Sequence, residues 1–158
     1  MTPRARAYHV EAENIRFAER YMKAASRDGM QERFASLVSR LDLGHLLHHH
    51  PDTLSGGEAQ RTSLARALFP DPDVILLDEP LSTLDPAFRG DTRDMLKSLQ
   101  AETGKTFIVV THDFLEAQEL GSCCAIMNHG RILQHGSIDE LFTRPADDFI
   151  ARFVGVPR

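Results

Sequence analysis

Val74-Ile75-Leu76-Leu77 and Phe107-Ile108-Val109-Val110 are four-residue runs without a polar side chain. A strand with one wet face alternates apolar and polar residues, because successive side chains point to opposite sides. An unbroken apolar run instead calls for cover on both faces, as in a central strand of a parallel sheet. Pro72 and Pro80 bound the first run. Between the runs, Pro86 to about Ala101 places Phe88, Met95, Leu96 and Leu99 along one helical side. Strand, long helix, strand is a βαβ unit, for which a right-handed crossover is expected.

The flanking segments read differently. Residues 11–42 are mostly helical in pattern, with a break expected near Gly29. Ile15, Ala18 and Met22 recur at helix spacing, as do Phe34, Leu37, Val38 and Leu41, and Gly44 is a plausible stop. A turn at Leu54–Gly57 leads into a helical stretch to about Leu68, broken by Pro70-Asp71-Pro72. Another helix is expected from Phe114 to Leu120. Ala125–Met127 and Ile132–Gln134 flank a hairpin-like turn at Asn128-His129-Gly130-Arg131. Two short helices follow, near Ser137–Phe142 and Ala146–Phe153. Ser137 and Glu140 have capping-box spacing.

At 158 residues the chain has room for one domain. Its net charge of −5 argues against nucleic acid as a main partner, because phosphate backbones want a basic face. No apolar run reaches the roughly 20 residues of a spanning helix, and MTPRARAYHV lacks the apolar segment of a secretory signal. Cys123 and Cys124 are the only cysteines and are adjacent, so no disulfide framework is expected. That fits a reducing, cytosolic setting.

Three places carry chemistry. Leu54-Ser55-Gly56-Gly57-Glu58 sets a serine and two glycines at a helix start. Backbone N–H groups and the helix dipole can hold an anion there, although the same residues also suit an ordinary capped turn. Asp78-Glu79-Pro80 follows the first apolar run directly. Carboxylates at the C-terminal end of a buried strand lie where open α/β sheets bind ligands. The first could hold Mg²⁺ and the second could act as general base on water. Thr111-His112-Asp113 ends the second run, where a histidine could contact a phosphate. His48-His49-His50 has no second ligand cluster and reads as a solvated loop. Arg61 to Arg66 reads as the polar side of a helix.

The order LSGGEAQR, VILLDEP, LSTLDP, VVTHD resembles that of ABC-type ATPases, and the resemblance runs from about Glu13-Asn14-Ile15 to Phe153-Val154-Gly155. It implies an α/β fold: a partial ABC-ATPase domain, an α-helical subdomain followed by a mostly parallel sheet flanked by helices. Residues 1–53 would hold the N-terminal segment and part of the helical subdomain. Residues 54–158 would hold the signature helix and part of a RecA-like core. Leu54, Ser55, Gly56, Gly57 and Glu58 resemble the signature motif that meets ATP held by the opposite subunit, with Glu58 where glutamine is commonest. Asp78 resembles the Walker B aspartate on Mg²⁺, Glu79 the catalytic glutamate and His112 the switch histidine. Ser82 to Asp85 resemble the D-loop at the dimer interface, with Thr83 in place of the usual alanine. Gly130-Arg131-Ile132, Gly136, Asp139-Glu140-Leu141-Phe142 and Pro145 are similar to bacterial import systems.

ATP and Mg²⁺ are therefore the implied cofactors. The implied partners are a membrane permease and a second ATP-binding subunit, at the cytoplasmic face of the membrane. A phosphate loop of the form GxxxxGK[ST] is not found. Gly104-Lys105-Thr106 fails because position 99 is Leu99 and a helix precedes it while a strand follows. No adenine stacker or glutamine loop is recognisable upstream of Glu13. The expectation is a subunit that hydrolyses ATP only with a missing N-terminal half or a partner. Alternatives are a non-catalytic module that presents the signature to an intact partner, and a degenerate fragment. A DNA-repair ATPase is a more distant option. The chain alone is expected to fold weakly or self-associate, because the apolar edge of Val74–Leu77 would lack a neighbour.

Overall fold

The computed structural model describes residues 11–22, 29–82 and 84–155. The elements run α1 (Glu11–Ile15), a 3₁₀ turn (Arg16–Arg20), α2 (Met30–Arg40), 3₁₀ turns at Gly44–Leu46 and Pro51–Thr53, and α3 (Gly56–Leu68). Then come β1 (Val74–Asp78), α4 (Pro86–Thr103), β2 (Thr106–Val110), α5 (Phe114–Leu120), β3 (Cys123–Asn128), β4 (Arg131–Ser137), α6 (Ile138–Thr143) and α7 (Asp148–Phe153).

β1 and β2 pair in parallel, from Val74 opposite Thr106 to Asp78 opposite Val110, with α4 as the crossover. Pro86 opens α4 at a position that needs no N–H donor. Gly104 ends it with φ 64°, a left-handed conformation that glycine adopts without a Cβ clash. Lys105 and Thr106 then lead into β2, so Gly104-Lys105-Thr106 is a helix-to-strand turn. β3 and β4 form an antiparallel hairpin, longer than the sequence pattern marks, turned by His129 (φ 47°) and Gly130 (φ 73°). Two residues with positive φ give the twist a tight hairpin needs.

Gly29 (φ 71°) starts α2, so the break expected there exists. The far end differs from expectation. α2 stops at Arg40, and Asp42 with φ 51° makes the reversal; Gly44 instead starts the next 3₁₀ turn. Asparagine and aspartate tolerate the left-handed region better than most residues, which is why a glycine is not required.

One apolar core joins the helices to one face of the parallel pair. Ile75 and Leu77 of β1 pack with Leu96 and Leu99 of α4, Leu64 and Leu68 of α3, and Leu37 of α2. A second, smaller core gathers Phe114, Ile126, Leu141, Ile150 and Val154. Burial on both faces of β1 does not occur. Ile75 is 2% exposed but Leu76 is 73% exposed, and Val74, Ile108 and Val110 are exposed beside it. The described helices cover one face only, so the apolar run reads as two-sided while its packing is one-sided. Among the described residues one strand pair is parallel and one antiparallel.

Candidate functional site

The C-terminal ends of β1 and β2 bring the acidic pair and the histidine together. β1 ends at Asp78, opposite Val110, and the chain then turns through Glu79 with φ 50°. A non-glycine residue there costs on the order of 1–3 kcal/mol and must be held by its surroundings. The Glu79 N–H donates to the Val110 carbonyl at 2.8 Å. The Ser82 N–H and hydroxyl donate to the Glu79 carbonyl at 3.3 and 2.9 Å. Pro80, fully buried, anchors the turn. Thus held, the half-buried Glu79 side chain reaches across to β2's exit, where His112 Nδ1 donates to its Oε1 at 2.6 Å. The carboxylate raises His112 above the ordinary imidazole range through this hydrogen bond and its charge.

Asp78 is exposed, and its carboxylate has no hydrogen-bond or ion-pair partner among the described residues. A lone hard oxygen donor suits Mg²⁺, which takes one or two carboxylates and fills its shell with water and substrate phosphate. No group of three or more His, Cys, Asp or Glu that could form a protein-only metal cage occurs among the described residues. The residues present therefore fit a shared Mg²⁺–phosphate site rather than a self-sufficient one.

At the start of α3, Ser55 is the N-cap of a reciprocal capping box. The Glu58 N–H donates to Ser55 Oγ at 3.4 Å, while the Ser55 N–H and hydroxyl both donate to Glu58 Oε2 at 2.7 Å. His45 Nε2 lies 3.6 Å from the other oxygen, Oε1. The Ser55 donors, with a smaller part from His45, hold the Glu58 carboxyl below the usual carboxylate range. The Ser-x-x-Glu spacing at 55–58 signals this box in the sequence, where only Ser55 stands out as a cap. At Ser137 half of the expected box exists: Ser137 Oγ accepts the Glu140 N–H at 3.1 Å, and no return bond from the Ser137 N–H to the Glu140 carboxylate is found among the described residues. Asp85 caps α4 by accepting the Ala87 N–H at 3.0 Å. Thr83 lies outside the described residues.

The structure thus joins Glu79 to His112 directly and sets Asp78 beside them. Leu54, Ser55, Gly56, Gly57 and Glu58 form a separate turn whose side-chain bonds run to each other and to His45. The histidine run behaves as a loop: His50 Nδ1 accepts the Asp52 N–H at 3.5 Å and lies 3.3 Å from the Asp52 carboxylate. His45, next to Glu58, escapes a reading by motif because it lies outside the motif itself.

The family model described as "ABC transporter" matches residues 3–82, half of the chain. The chain belongs to the ABC transporter family. Its curated relatives in that family are consistent. It is 43% identical to the spermidine/putrescine import ATP-binding protein PotA of Treponema pallidum, over 90% of this chain and 38% of the relative. It is 43% identical to the sulfate/thiosulfate import ATP-binding protein CysA of Vibrio cholerae, over 91% and 39%. It is 41% identical to the maltose/maltodextrin import ATP-binding protein MalK of Salmonella typhimurium, over 93% and 40%. The chain spans about two-fifths of the length of these relatives. Among solved structures, CbiO1 of Clostridium perfringens, part of the ABC transporter complex CbiONQ, superposes with a TM-score of 0.74 at 27% identity, over 88% of this chain and 55% of that one. An ATP-binding cassette of an ABC transporter in its ADP conformation gives 0.74 at 21% identity, over 94% and 63%, which supports the fold. The ABC family fold is therefore the architecture of this chain, and no described helix is long and apolar enough to cross a membrane.

Proposed function

We propose that the chain acts as the ATP-binding, energising subunit of an import-type ABC transporter. The observation that carries this reading is the Glu79–His112 hydrogen bond at the C-terminal ends of two parallel strands, with a free Asp78 carboxylate beside it. Glu79 accepts a proton from the attacking water. His112, held by the same carboxylate, turns its other ring nitrogen toward the terminal phosphate. Asp78 holds Mg²⁺, which supplies charge neutralisation to the phosphates when bound. Leu54, Ser55, Gly56, Gly57 and Glu58 meet the triphosphate on an opposing subunit, and Asp85 lies at that interface. In this reading residues 1–53 hold the N-terminal segment and part of the helical subdomain, and residues 54–158 hold the signature helix and part of the RecA-like core. The partners are a permease at the cytoplasmic face of the membrane and a second ATP-binding subunit. The names of the curated relatives, all import ATP-binding proteins, favour this class.

Positioning of the phosphates needs a backbone cradle and a lysine. Neither is present in the 158 residues as a GxxxxGK[ST] segment between strand and helix. The 158-residue chain alone is accordingly expected to hydrolyse no Mg-ATP above background. That same feature favours a second reading, a module that only presents its Ser55 turn to ATP on an intact ABC subunit. Mg-ATP binding and hydrolysis should be measured for the chain alone and mixed with an ABC segment carrying the phosphate loop. Turnover only in the mixture supports the first reading. Turnover by the chain alone contradicts both.

A further inference from the structure

Glu79 meets His112 from a strained backbone. Its φ of 50° lies in the left-handed region, which a non-glycine residue holds only when its surroundings fix it there. Released, the residue would return to negative φ, and its carboxylate would swing away from the exit of β2. The Glu79 N–H is tied to the Val110 carbonyl at 2.8 Å, and the Ser82 N–H reaches the Glu79 carbonyl at 3.3 Å. Pro80 and Leu81, both buried, anchor the two residues between. The remaining hold is the Ser82 hydroxyl, which donates to the same carbonyl at 2.9 Å. It is shorter than the main-chain bond beside it, and it is the one side-chain hydrogen bond made to the Glu79 main chain among the described residues. Ser82 is exposed, so packing does not account for a serine here. An alanine could close the same turn through the main-chain bond. What the serine adds is a second bond to the peptide plane that follows Glu79.

We propose that Ser82 is a positioning residue for Glu79, its hydroxyl keeping that residue in the left-handed conformation from which the carboxylate meets His112. The contact lies within one chain and needs no second subunit, so it is distinct from the interface role that the resemblance gives to residues 82–85. Its effect on turnover rests on the reading of Glu79 as general base, while its effect on the Glu79 backbone does not. Small displacements of a reacting group lower rates steeply, so one exposed hydroxyl acts on the chemistry through the backbone of its neighbour.

The test compares the ¹⁵N-labelled 158-residue chain as wild type, Ser82→Ala and Ser82→Thr. A positive φ brings the amide and α protons of one residue close together, so wild-type Glu79 should give a strong cross-peak between them. In Ser82→Ala that cross-peak should weaken, and the His112 midpoint should fall toward the ordinary imidazole value. The fall should be partial, because Asp113 and Glu116 also raise His112. Ser82→Thr keeps the hydroxyl and should keep both signals. Mixed with the segment that supplies the phosphate loop, Ser82→Ala should lower kcat by about tenfold, the scale of one lost hydrogen bond, with KM for ATP little changed. Wild-type signals in Ser82→Ala, or an equal loss in Ser82→Thr, overturn the role of Ser82 and leave the hydrolytic reading intact. A Glu79 backbone that relaxes in Ser82→Ala alone, with turnover unchanged, supports the hold of Ser82 and overturns the reading of Glu79 as general base.

Discussion

The two faces of the β1–β2 pair have the same kind of residue and opposite surroundings. Ile75 and Leu77, with Phe107 and Val109 partly covered, lie against α2, α3 and α4. Val74, Leu76, Ile108 and Val110 face outward. Apolar composition therefore marks what a strand is able to bury, while the neighbouring elements decide what it does bury. The site sits where both faces end, at Asp78, Glu79 and His112, and it is built by backbone bonds across the strand ends rather than by either face.

The comparison is sharpest where the difference in cost is largest. Ile75→Ala should destabilise the chain by about 2–5 kcal/mol, from lost burial and a cavity, read by denaturant unfolding. A loss under about 0.5 kcal/mol would show that the covered face is not the core. Next comes association. An exposed apolar patch promotes contacts between copies. The wild-type chain should sediment with a concentration-dependent mass, and Leu76→Lys with Ile108→Lys should weaken that association by roughly tenfold, about 1.4 kcal/mol. A monodisperse wild-type monomer would break the account of the bare face. Leu76→Ala should then alter unfolding by no more than about 0.5 kcal/mol, as for other surface positions.

The smallest effect lies at the strand ends. The folded chain raises His112 above its ordinary value, so the pair with Glu79 contributes stability that is full below about pH 6.5. That contribution is lost as pH rises through the raised folded value. In an NMR titration, Glu79→Gln should lower the His112 midpoint toward the ordinary imidazole value. An unchanged midpoint would mean that the two side chains do not interact in solution.

Much of this was legible beforehand because it follows from local chemistry. The βαβ unit, the passage from helix to strand at Gly104, the hairpin at His129-Gly130 and the break at Gly29 all depend on neighbours in sequence. Motif order gave Glu79 and His112 separate roles; their direct contact depends on parallel pairing of distant strands and comes from the structure. What was not legible follows from packing and side-chain direction. Nothing in Val74–Leu77 tells which of its faces the helices cover. Nothing in the Ser55–Glu58 spacing, which does mark the capping box, tells that His45 would come beside Glu58. Asp42 shows the same limit on a smaller scale: it makes the reversal after α2 that Gly44 was expected to make.

The central claim, that the ends of β1 and β2 form a hydrolytic site, is tested most directly by one substitution. Glu79→Gln should be compared with the wild-type chain in Mg-ATP turnover, each mixed with the segment that supplies the phosphate loop. Loss of a positioned general base should lower turnover by about 10²–10⁴-fold while ATP binding by the mixture persists. Turnover that survives Glu79→Gln would contradict the account.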